Sequence, residues 1–97
     1  MKELYFTPSA EDDLSNIWDY TVEKWSIEQA DKYTDEIKEV CSDLCAGIKF
    51  GRSVEVRDGY LKYPSRSHVI YFLLYDDRLE VVRILGKRQD VDLNLPK

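Results

Sequence analysis

The sequence predicts an α+β fold: an N-terminal strand, then an antiparallel helical hairpin packed on a small, mostly antiparallel sheet. Three observations predict it. Residues 9–46 carry two apolar stripes of helical period back to back. Residues 53–85 carry short alternating or apolar runs punctuated by turn residues. Helices and strands are thus grouped along the chain rather than alternating, which is the α+β pattern. A chain of 97 residues holds one domain, 1–97, with one core and no room for a separate regulatory unit.

The elements follow in order. Lys2–Thr7 reads as a short strand with Leu4 and Phe6 on one face, stopped by Pro8. Ser9 is the expected cap of a first helix, and Glu11, Asp12 and Asp13 follow where the helix dipole favours acids. Ala10, Leu14, Ile17, Trp18, Thr21 and Trp25 recur at helical spacing over roughly four turns. Ser26 with Gln29 forms a capping box that opens a second helix at once. Its stripe is Ala30, Tyr33, Ile37, Val40, Cys41, Leu44 and Cys45, and Gly47 is its stop. So short a connection makes the helices an antiparallel hairpin.

Strands come next. Ser53–Arg57 alternates and is either a strand or a loop arm. Asp58-Gly59 signals a hairpin, and Tyr60–Tyr63 runs to Pro64. His68–Leu85 reads as two strands turning at Asp76-Asp77 and closing at Gly86. The order is β-α-α-β-β-β, with 53–57 as the optional extra. Lys87–Lys97, polar with Val91, Leu93 and Leu95, is an irregular tail or a short edge strand.

The strand pair is apolar on both faces. His68, Ile70, Phe72 and Leu74 share one, and Val69, Tyr71, Leu73 and Tyr75 the other. One helical layer covers one face, so the second stays partly bare unless the tail or a partner covers it. Counting by twos places Arg83 beside Leu79, Val81 and Leu85, where a guanidinium must be paired or must face a partner.

Charge is uneven. Net charge is −5, which disfavours indiscriminate nucleic-acid binding. Residues 1–48 carry four basic against twelve acidic side chains, and residues 49–97 carry ten against seven. The longest apolar run, Val69–Tyr75, is far too short to span a bilayer, and Met1–Asp13 has no signal-peptide core. A soluble, cytoplasmic chain is expected. Cys41 and Cys45 are read as small buried hydrophobes, since a disulfide at that spacing closes a trivial loop and a zinc site lacks ligands. No glycine-rich phosphate loop occurs, and no metal or cofactor is expected. Trp18, Tyr20, Trp25 and Tyr33 lie on the acidic helices and are read as core.

The residues left for function are Arg57, Tyr60, Arg66, His68, Tyr71, Arg83, Lys87 and Arg88. Metal-free ribonuclease chemistry needs a base, an acid and cations around the phosphorane, and Arg66, His68, Tyr71 and Arg83 could supply them. The same side chains also suit protein binding, and a lone His68 is more readily a hydrogen-bonded structural residue.

Ala10, Asp13, Leu14, Ile17 and Tyr20, then Trp25 and Gln29-Ala30, form one pattern. Gly59-Tyr60, Ser67-His68-Val69-Ile70-Tyr71, and Arg83-Ile84-Leu85 with Asp90 form another. Together they resemble the ParE-type toxins of the RelE/ParE toxin–antitoxin superfamily over nearly the whole chain. The resemblance implies a RelE/ParE-like fold and the toxin role in a type II pair. It implies inhibition of DNA gyrase, which most family members with known targets hold in its cleaved-DNA state. It implies a ParD-like protein antitoxin that wraps a C-terminal segment over the toxin and covers the spare apolar surface. No sequence-specific nucleic-acid contact, membrane or cofactor is implied, and the action is that of a poison rather than an enzyme. Arg57, Tyr60, Arg66, Tyr71, Arg83, Lys87 and Arg88 would be the partner-binding residues. The family's usual His after Arg-Ile-Leu is Gly86 here, and its frequent Met before Asp90 is Gln89. Two alternatives stay open: a RelE-like mRNA endoribonuclease using Arg66, His68, Tyr71 and Arg83, or a non-toxic module that only binds its antitoxin.

Overall fold

The computed structural model describes residues 2–96. The order is β1 (Glu3–Phe6), α1 (Pro8–Lys24), α2 (Ile27–Cys45), β2 (Arg52–Ser53), β3 (Leu61–Ser65), β4 (His68–Leu74), β5 (Arg78–Gly86) and α3 (Val91–Asn94). The strands form one sheet in the order β1-β5-β4-β3-β2. Among the described residues only the β1–β5 pair is parallel. The predicted α+β architecture is the observed one.

Local sequence explains the boundaries. The cap of α1 is Thr7, not Ser9: the Thr7 hydroxyl accepts from the Ala10 N–H at 3.1 Å, and Pro8 takes the first helical position. The Ser26 hydroxyl accepts from the Gln29 N–H, as the capping box requires. Gly47 adopts φ +78, its N–H reaches Leu44 O, and the Ile48 N–H reaches Asp43 O. That pairing is a Schellman ending, which favours glycine at the left-handed position. The Ser53–Arg57 run is a strand only at its start, and the chain turns through residues 55–59 before β3. β3 runs on through Pro64, tolerated because β2 pairs only with Leu61 and Lys62 and leaves the rest of that edge open. The tail is neither irregular nor a strand. Asp90 caps a single helical turn, accepting from the Asp92 N–H; Lys97, at its end, lies outside the described residues.

The helices bury one sheet face. Ala10, Ile17, Ile37, Cys41 and Leu44 pack on Ile70, Phe72, Leu79, Val81 and Ile84. The second face is largely covered by the chain itself. Val54 and Tyr60 from the loop, with Leu95 and Val91 from the tail, pack over Tyr71, Val82 and Leu85. A bulge makes the parity differ from the sequence count. Tyr71 pairs with Arg83 but Phe72 with Val81, so Val82 is an extra residue in β5. Leu79, Val81 and Ile84 therefore face the helices, while Val82 and Leu85 face outward. Arg83 does not share a face with Leu79 and Val81.

Candidate partner-binding surface

Four of the eight predicted residues are tied into the framework. β1 ends opposite Val81, so β5 is an open edge at Arg83. The guanidinium turns round that edge. Its Nε and Nη2 donate to the two Asp13 carboxylate oxygens at 2.8 and 2.9 Å, and Nη1 donates to Asn94 O at 2.8 Å. The same carboxylate accepts from the edge Ile84 N–H at 2.9 Å. Both charged side chains are mostly buried, and the Asp13 bond holds the Arg83 pKa above its usual value. Arg57 clasps α3, with Nη1 on the Asp92 carboxylate and Nη2 on Asp92 O, each at 2.8 Å. Its Nε is buried without a partner among the described residues. Tyr60 and Tyr71 are buried in the outer cluster, and burial raises both phenol pKa values.

His68 is half-buried on the helix side. Its Nδ1 lies 2.7 Å from the Tyr33 hydroxyl, which itself accepts from the Ser67 N–H at 3.3 Å. Burial lowers the imidazole pKa, and the Asp13 charge pulls the other way more weakly. The lowered pKa favours the neutral ring near pH 7. His68 and Tyr71 belong to opposite faces of the sheet, so the four ribonuclease candidates do not converge on one point.

The rest form an exposed basic edge. Arg66 sits at φ +55 in the turn between β3 and β4, a conformation uncommon for a non-glycine residue, and forks onto Glu36 of α2. Lys87 and Arg88 follow β5, and a shallow hollow joins them to Arg66, Ser67, His68 and Gly86. Lys87 also borders a larger groove of about 670 Å³ on the outer face, lined by Phe50, Arg52, Lys62, Tyr63, Pro64, Val69 and Tyr71. Sequence reading missed Phe50, Arg52 and Lys62. Their only signal was local: an aromatic next to cations in a segment between helix and sheet.

The helical aromatics are not all core. Trp18 donates Nε1–H to Asp31 at 2.8 Å and Tyr33 packs against the helix-side core. Trp25 is 76% exposed and Tyr20 61%, beside a cleft of about 370 Å³ that also borders His68 and Asp13. Of the last turn of the stripe, Thr21 is buried while Trp25, at the C-cap, is not. Cys41 is buried and its thiol pKa is pushed up to about 12. Among the described residues no cluster of three or more His, Cys, Asp and Glu could hold a metal, and no helix is long and apolar enough to cross a membrane.

Solved structures share this fold. The E. coli DinJ–YafQ complex superposes with a TM-score of 0.62 at 9% identity, covering 99% of this chain and 100% of that one, a likeness of fold alone. The chromosomal ParDE toxin–antitoxin system from P. aeruginosa gives a TM-score of 0.78 at 26% identity, covering 89% and 96%. The family model described as ParE toxin of type II toxin-antitoxin system, parDE, matches residues 4–91. Toxin ParE1 of Mycobacterium tuberculosis is 35% identical over 91 residues, covering 92% of this chain and 93% of the relative. The chain belongs to the ParE toxins of type II toxin–antitoxin systems.

Proposed function

We propose that this toxin acts in the cytoplasm by binding DNA gyrase and holding it in its cleaved-DNA state, without a catalytic step of its own. A cognate ParD-like antitoxin neutralises it by direct binding. The observation that carries the reading is the division among the candidate residues. Arg57, Tyr60, Tyr71 and Arg83 are spent on internal contacts, while Lys87 and Arg88 stand at the surface beside Arg66, which is exposed although paired with Glu36. An exposed cationic edge suits a contact surface. A ribonuclease would want a base and an acid converging on one phosphate, and burial instead raises Tyr71 and takes His68 into a bond with Tyr33. Arg83 thus supports the target contact indirectly, by fixing the end of β5 from which Lys87 and Arg88 project.

The test is pulse-labelling of DNA and protein synthesis in bacteria minutes after the chain is induced alone, followed by cleavage assays with purified gyrase. DNA synthesis falling first, with accumulating gyrase-linked breaks, is the expected result. Protein synthesis falling first would replace this reading with mRNA cleavage. No change in either, from folded and abundant protein, would make the chain a non-toxic antitoxin-binding module.

A further inference from the structure

Three hollows adjoin between the tip of the helical hairpin and the β3–β4 turn. The first is the cleft lined by Tyr20, Trp25, Tyr33 and His68. The second shares Trp25 and Tyr33 with it and reaches Arg66. The third shares His68 with the first and Arg66 with the second, and ends on Lys87 and Arg88. One end of this surface is aromatic and almost uncharged. Its one carboxylate, Asp13, is already matched by Arg83. Polar edges are left over there. Asn16 and the Nε2 of His68 have no partner among the described residues, and Gln89 uses only its Oε1, on the Gly86 N–H. The other end is cationic. Lys87 and Arg88 are exposed and in no salt bridge among the described residues, and Gly86 between the two ends adds no side chain to the floor.

We propose that these joined hollows bind a free nucleoside phosphate, its base stacked on Trp25 and its phosphates held by Lys87, Arg88 and Arg66. Each part of the ligand answers one part of the surface. A base is flat, neutral and edged with donors and acceptors, so it suits an aromatic face bordered by amides and an imidazole. An aliphatic side chain would leave those edges unpaired. Trp25 is the platform, because Lys24 sits over the Tyr20 ring at 5.8 Å. Phosphate oxygens suit two free cations and an arginine fork. The first cleft, about 370 Å³, has the volume of a small-molecule site. The net charge of −5 does not oppose a ligand this small, since screening beyond about 8 Å leaves it to the charges beside it. A long strand would instead run its phosphates past the acids of α1 and α2. The ligand is held and not cut: Tyr71 lies in the outer cluster and Arg83 is bound to Asp13, so neither meets the phosphates. The site stands apart from the gyrase reading, which needs no small ligand.

The test is a titration of the purified full chain with adenosine diphosphate, adenosine, inorganic pyrophosphate and a short single-stranded oligonucleotide, followed by amide and indole N–H shifts. Adenosine diphosphate is expected to move both the Trp25 indole and the amides of Ser67, Lys87 and Arg88. It should bind about ten-fold more weakly to Trp25→Leu and, separately, to Lys87→Glu/Arg88→Glu. Both variants change exposed side chains, and circular dichroism checks that each is folded. Adenosine should move the aromatic end alone and pyrophosphate the basic end alone, each more weakly than the joined ligand. Adenosine diphosphate that binds no tighter than pyrophosphate, or that ignores Trp25→Leu, would leave a bare anion patch and overturn the proposal. An oligonucleotide that binds more tightly than adenosine diphosphate would also overturn it, by making the ligand a strand. Shifts confined to the outer-face groove around Phe50 and Lys62 would do the same.

Discussion

The two faces of the sheet are equally apolar in sequence but covered in different ways. Toward the helices, two long amphipathic elements bury Phe72, Leu79 and Val81 almost completely. Away from them, a loop and one helical turn cover only the Tyr71, Val82 and Leu85 region, clasped by Arg57 on Asp92 and Arg83 on Asn94 O. The outer face of β3 stays open and becomes the basic groove. An apolar strand face is therefore no guide to its cover. The cover depends on how much chain can reach it, and what the chain leaves bare is where another molecule has room.

The difference can be broken from either side. The largest loss is expected at the helix-side core: Leu79→Ala should cost about 4 kcal/mol in urea denaturation, because that site is fully enclosed and cannot collapse. Asp13→Ala comes next, at about 3 kcal/mol, since it strands the mostly buried Arg83 and leaves the Ile84 N–H without its acceptor. Arg83→Ala tests the same link. A stable Arg83→Ala protein without toxicity would return that residue to the target surface. Leu95→Ala on the outer side should cost only about 2 kcal/mol, because a single turn can settle into the space it leaves. A loss equal to that of Leu79→Ala would mean that the tail is as firmly built as the hairpin. The smallest effect concerns pH. His68 titrates below its ordinary value of 6.5 in the fold, so the unfolded chain takes up the proton first. Stability should hold above that pH and fall as pH drops below it, and His68→Gln should flatten this part of the profile.

Much of this was legible from residues alone. Ser26 with Gln29 announced the second helix and Gly47 its end, because caps satisfy backbone groups that no distant contact can. Thr7-Pro8 was the better signal for the first cap than Ser9, since proline favours the first helical position. The bulge was not legible: Val81-Val82 carries no glycine or other mark, and only pairing with β4 shows which valine is extra. The exposure of Trp25 was hidden because it keeps the helical spacing of the stripe although it is the C-cap residue, where the helix ends. Of the site, Lys87 and Arg88 stood out as charges at the end of an apolar run. The groove did not, because Phe50, Lys62 and Lys87 meet only once β2, β3, β4 and β5 are paired.

The Asp13 carboxylate occupies the position that a sixth strand's carbonyl would take at the end of β5. The first helix thereby becomes part of the sheet's own hydrogen bonding. It cannot lift away without opening the Ile84 amide to water in the same event. Hydrogen exchange at that single amide should then be a clock for the docking of the whole helix, ticking with the global opening of the molecule rather than with the fraying of an edge.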